Sequence, residues 1–125
     1  MKIQIVNGLV NILGEVKFLT AKNDAVRNAL LDDYLSLRDA ARDADTKRRD
    51  IVDKFNADYK GLDTTGEDYK NGLAVLNKAV GDILSKEVDI PLQSVALGDF
   101  RGISGAETLT LEQIAFLIEW GIVRK

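Results

Sequence analysis

The sequence contains no cysteine and no histidine. The first absence excludes disulfides and thiol nucleophiles, and it leaves no trace of the redox compartment. The second removes the imidazole base of Ser–His and Cys–His chemistry and the one side chain that titrates near neutrality unaided. Together they leave carboxylates as the only usual zinc ligands. Proline occurs once, at Pro91, so nothing before it forbids a long unbroken helix. No apolar run approaches the ~20 residues of a membrane span. The opening stretch, Met1-Lys2-Ile3-Gln4-Ile5-Val6-Asn7-Gly8, is interrupted by polar residues where a signal peptide needs an apolar centre, so a cytoplasmic protein is expected. Neither sign of charge dominates. Seventeen basic residues against 20 acidic ones give a net charge of −3. That balance speaks against general nucleic-acid binding, although it leaves a local basic patch open.

What is present suits one domain of 125 residues, 46% of them hydrophobic, enough to bury a core without staples. Residues 2–13 read as a β-hairpin around Asn7-Gly8, the dipeptide that best supplies the two positive-φ positions of a type I′ turn. In that register Ile3, Ile5, Val10 and Ile12 share one face, and Gln4 and Asn11 share the other. Val16 and Phe18 could add a short third strand.

Residues 21–59 read as one long helix, with Thr20 or Asn23 as its N-cap. Leu30, Leu37, Ala44 and Ile51 recur every seven residues, and Tyr34, Ala41, Arg48 and Phe55 form the companion series, a heptad-like seam. Gly61 ends this helix, and Thr64 with Glu67 forms a capping-box pattern for a second helix over 66–87. Its apolar residues, from Tyr69 to Ile83, keep the same period. Two such helices joined by a short connection should pack antiparallel. At ~1.5 Å per residue the first helix outlasts the second by ~16 residues. Leu30, Tyr34 and Leu37 are then expected at the uncovered end, where the β-hairpin and C-terminal segment, or a second chain, would cover them.

Residues 88–97 alternate as one or two strands, with Pro91 marking an edge or a break. Gly98, Gly102 and Gly105 mark a loop. Thr110-Leu111-Glu112-Gln113 repeats the capping-box pattern and opens a helix over 111–120, ended by Gly121. The fold class expected is α+β in a single domain, 1–125. It comprises a β-hairpin region over 2–19, a long antiparallel helical hairpin over 21–87, and a strand plus short helix over 88–125.

The order of parts resembles a family of small uncharacterised proteins of tailed bacteriophages and prophages. The likeness is carried by the opening MKIQIVNG, the long charged helix, the second helix, the Glu-Val-Asp-Ile-Pro-Leu segment at 87–92 and the Leu-Thr-Leu-Glu-Gln-Ile-Ala-Phe-Leu-Ile segment at 109–118. It covers nearly the whole chain as a pattern of elements, most specifically over 86–118. The resemblance implies a phage origin and residence in the host cytoplasm, and it assigns no functional residue.

No constellation in the sequence supports catalysis, a cofactor or a metal. Asp32, Asp33, Asp39, Asp43 and Asp45 could suit Mg²⁺ or Mn²⁺, but Arg38, Arg42, Arg48 and Arg49 stand among them, which reads as surface ion pairing. The same interleaved acids weaken a nucleic-acid surface built on Arg38, Arg42, Lys47, Arg48 and Arg49. The 98–105 loop lacks a Walker lysine or dinucleotide fingerprint, although Phe100 and Arg101 on it form a candidate contact point. Arg48, a charge at a seam position, either pairs or snorkels, or else fixes register or oligomer state. The sequence therefore predicts a non-enzymatic protein-interaction module that binds a protein partner or self-associates as a dimer or higher oligomer. Its candidate residues are Leu30, Tyr34, Leu37, Arg48, Phe100 and Arg101. The alternative is a small-ligand binding protein with its site at 98–105 or between helices.

Overall fold

The residues expected to pair as a β-hairpin are helical. In the computed structural model, which describes all 125 residues, the chain opens with α1, Ile3–Glu15. The reason lies in which apolar residues each arrangement buries. The hairpin register serves Ile3, Ile5, Val10 and Ile12 but turns Val6 and Leu9 to the polar face. The helix instead gathers Ile3, Val6, Leu9, Ile12 and Leu13 on one side, where all five are buried. Full burial of each such side chain is worth about 1.5–3 kcal/mol. A mid-helix glycine costs about 1 kcal/mol against alanine. Packing therefore overrides the Asn7-Gly8 turn signal. Gly8 also has a use in the helix, since a Cβ there would lie 3.3 Å from the Phe116 ring.

After a 3₁₀ turn at Phe18–Thr20 comes α2, Asp24–Asp58. It is the single rod that the seam predicts, ~52 Å long at 1.5 Å per residue. Asn23 is its N-cap, its side chain accepting from the Ala25 and Val26 amides. A turn built on Asp63, which accepts from the Thr65 amide and hydroxyl, leads into α3, Glu67–Ser85. The expected Thr64–Glu67 capping box does not form. Gly66 is the N-cap, with no side-chain cap bond.

The remainder is a set of short elements. They are β1 (Val95–Ala96), α4 (Leu97–Arg101), a 3₁₀ turn at Ala106–Thr108, α5 (Leu111–Glu119) and β2 (Val123–Arg124). The expected strands over 88–97 reduce to β1, paired parallel with β2 through Val95↔Val123 and Ala96↔Arg124, and an antiparallel bridge between Lys2 and Glu87. Val88, Ile90 and Leu92 do alternate, half-buried, with exposed Asp89 and Pro91. The alternation of burial was legible, but no partner strand runs beside it. The 98–105 loop is largely α4, and its one strained position is Gly105 at φ +93°. A Cβ there would sit 2.7 Å from the Glu15 carbonyl oxygen, and beside it the Lys17 amide donates to the Ser104 carbonyl at 2.9 Å.

α5 forms as its sequence predicts. Thr110 and Gln113 complete a reciprocal capping box. At the other end Gly121 (φ +82°) donates to the Ile118 carbonyl and Ile122 to the Leu117 carbonyl, the two bonds of a Schellman motif.

The expected α+β architecture is thus overturned. Five α-helices and one two-residue parallel pair replace the N-terminal β-hairpin, and the 21–87 helical hairpin is not a unit of its own. α1 lies against both α2 and α3, so the three share one bundle, closed by the C-terminal elements. The core runs through α1, the first half of α2, and residues 95–123.

Candidate functional site

The placement of α1 decides which end of α2 is open. Leu30 and Leu37, expected at an uncovered end, are completely buried by their own chain. Tyr34 is half-buried, its ring 5.5 Å from that of Phe18. The seam is closed from Leu30 to Ala44 and opens only beyond it. No residue of α2 after Ala44 is buried, and the one buried residue of α3 is Gly72. The free length of seam is therefore at Ile51 and Phe55, opposite to the sequence expectation. That expectation left the first half of α2 to the β-hairpin and C-terminal segment, or to a second chain. A 13-residue helix covers it.

In this distal arm α2 and α3 touch mainly each other. Phe55 stacks on Tyr59 with ring centroids 4.7 Å apart, and Tyr69 meets both rings edge-on. Tyr59 lies so close over Gly72 that a Cβ on residue 72 would fall 2.3 Å from the ring. Beside these rings runs an open groove of about 450 Å³. Ile51, Phe55, Val75, Leu76 and Ala79 supply its apolar wall, and Lys54 and Asp58 also line it. Val75 is 70% exposed. It lines the same wall as Phe55, Leu76 and Ala79, and a contiguous apolar patch, unlike one exposed side chain, marks a face without a cover.

Phe100, expected as an exposed contact, is completely buried in α4. The glycines around it suggested a loop, whereas Leu97–Arg101 forms a helical turn that points the ring inward. Arg101 remains exposed. Without the aromatic beside it, the 98–105 contact point dissolves. Arg48 is half-exposed and donates to Asp45 on its own helix at 2.8 Å. Asp45 also meets Arg49 at 2.9 Å, and Asp43 meets Lys47 at 3.1 Å. Arg48 holds the Asp45 carboxyl below its usual range, and Arg49 adds to the effect. Three of the five cations considered for a nucleic-acid surface are therefore tied to carboxylates. No three acidic side chains converge as a metal site would need.

Comparison with protein-family models, with curated proteins and with solved structures finds no match.

Sequence reasoning missed Asp33. This carboxylate is buried, 1% exposed, and its Oδ1 accepts the Gln93 amide at 2.7 Å, tying the segment before β1 to α2. Its Oδ2 is buried without a partner. Burial pushes the carboxyl up to about 6, against the lowering pull of the Gln93 amide and with a smaller upward push from Asp32. A signal existed. Asp33 stands three after Leu30 and four before Leu37, on the face that carries the seam. A second crevice, walled by α1, α2 and α3, was also hidden, since it exists only if residues 3–15 are helical. No helix is long and apolar enough to cross a membrane.

Proposed function

We propose that this chain is a non-enzymatic protein-binding module, a phage accessory, assembly or host-directed protein, and that it binds a second copy of itself through the α2/α3 arm. The observation that carries this reading is the uncovered groove of Ile51, Phe55, Val75, Leu76 and Ala79 in the part of the molecule with no fully buried large apolar side chain. Two packed helices alone bury too little to be firmly stable, and pairing two arms across a twofold axis makes a four-helix bundle with a closed centre.

The charges on the groove favour the same occupant. Lys54 and Asp58 lie one turn apart and line it together. Neither forms an ion pair within the chain. When two such helices meet antiparallel about a twofold axis at residue 56, Lys54 of each copy faces Asp58 of the other, a register in which the surface is complementary to itself. The absence of imidazole and thiol from the sequence, with no converging carboxylates, supports binding over catalysis.

Sedimentation equilibrium over a range of concentrations tests the reading. The native chain should reach twice its 13.8 kDa mass. Val75→Glu places a charge on an exposed position and should hold the protein at the monomer mass with its helix content intact. A native chain that stays monomeric at all concentrations overturns the proposal, as does a Val75→Glu variant that dimerises as well as the native chain.

A further inference from the structure

The crevice between α1, α2 and α3 has a different chemistry from the arm. Its volume is about 450 Å³, within the range of small-molecule sites. Its apolar wall is made by Ile3 and Val10 of α1, Ala41 and Ala44 of α2, and Ile83 and Leu84 of α3. Its polar side is a pair of two-residue rows. Asn7 and Asn11 stand one turn apart on α1, and Arg38 and Arg42 stand one turn apart on α2. Such i, i+4 spacing puts both members of each row on one helix face.

Arg38 and Arg42 carry charge that no carboxylate of the chain neutralises. Neither forms an ion pair, although carboxylates one turn further along α2 are taken up by Lys47, Arg48 and Arg49. Arg38 lies with its guanidinium carbon 5.9 Å from the centre of the Tyr34 ring, which holds the side chain in place. Its Nε is buried without a hydrogen-bond partner, a donor that normal packing would have satisfied. The Asp45–Arg48 pair also lines the crevice. Three guanidinium groups against one carboxylate leave a net of two positive charges here, in a chain whose total is −3.

We propose that this crevice binds a small amphiphilic organic anion. Its carboxylate or phosphate head is held by Arg38 and Arg42, with the Asn7 and Asn11 amides as further donors, and its apolar body lies against Ile83 and Leu84. Guanidinium groups bind both kinds of head through paired, charge-assisted hydrogen bonds, and the half-buried aliphatic wall selects a ligand with a hydrocarbon part over a bare ion. This site is separate from the arm groove and does not depend on self-association.

Isothermal titration and amide chemical-shift mapping with octanoate and with octyl phosphate test the proposal, with 1-octanol and inorganic phosphate as the probes that carry one half of the chemistry each. At least one amphiphilic anion should bind saturably, one per chain, with the largest shifts at residues 7–11 and 83–84. The better of the two identifies the head group. Octanol should bind about tenfold more weakly or worse, since one lost charge-assisted contact is worth that much, and inorganic phosphate about as weakly, since it forfeits burial of the hydrocarbon body. Arg42→Gln, at an exposed position, should weaken binding by about tenfold with the thermal midpoint unchanged, and Arg38→Gln should do the same. Arg101→Gln, at an exposed position outside the crevice, should change nothing. Octanol binding as tightly as octanoate would overturn the assignment. So would shifts confined to the arm, or an Arg42→Gln variant with native affinity.

Discussion

Replacing Asp33 by asparagine should change how the stability of this protein depends on pH. The carboxyl is pushed from 3.8 to about 6 in the folded chain, chiefly by burial, and returns to its ordinary value on unfolding. The folded state therefore holds its proton more tightly than the unfolded state does. Stability consequently falls as pH rises from about 4 through 6, and the loss is complete near neutrality. The difference between 3.8 and about 6 is worth about 3 kcal/mol in all, against a typical total stability of about 5–15 kcal/mol. Asparagine keeps an oxygen for the Gln93 amide and carries no charge at any pH. Its NH₂ group, where Oδ2 now lies unpartnered, adds a penalty that is constant with pH. The diagnostic quantity is therefore the change in the gap between the two proteins. Urea unfolding of both, from pH 4 to pH 7.5, should show the gap moving in favour of the asparagine variant by about 2.5 kcal/mol, the part of the full difference that lies above pH 4. The difference cancels the titration of every other carboxylate. A gap that stays flat over this range, or that moves in favour of the native chain as pH rises, would refute the assignment of a buried, proton-retaining Asp33.

Three further substitutions probe the fold. Phe100→Ala should cost about 3–5 kcal/mol in urea unfolding, because the ring is wholly buried; an effect near zero would restore it to the surface. Gly105→Ala should cost about 2 kcal/mol or more by the same assay, since the residue has φ +93° and its Cβ would meet the Glu15 carbonyl at 2.7 Å. Thr110→Ala removes the acceptor for the Gln113 amide and should cost about 1 kcal/mol by thermal or urea unfolding, with an unchanged value counting against the cap.

The parts of this fold that could be read from the chain are those whose signals are local and uncontested. α2 carries a 3–4 apolar period, an asparagine cap and no breaker over its whole length. α5 has its capping box at one end and Gly121 at the other, and both operate as the residue types require. α1 was illegible because two local signals conflict: Asn7-Gly8 asks for a turn, and the spacing of Val6, Leu9 and Leu13 asks for a helix. What decides is tertiary burial, which takes Val6, Leu9 and Leu13 fully out of water and sets Gly8 against Phe116, more than a hundred positions away. The candidate sites inherit that error. Once residues 2–13 are taken as strands, Asn7 and Asn11 do not form a row, no crevice with Arg38 and Arg42 exists, and the wrong end of α2 is left bare. Phe100 was misplaced for a similar reason, since flanking glycines say little about where a ring points.

Because α2 is one uninterrupted spiral from Asp24 to Asp58, its core half and its tip share a single angular phase. Removing one residue between Ala44 and Ile51 would turn everything beyond by about 100° and swing Phe55 away from Tyr69. Removing seven from α2, matched by seven from α3, would shorten the projection by about 10 Å and leave the faces within about 20° of where they began. The reach of this molecule can thus be shortened or lengthened in whole heptads but not trimmed residue by residue.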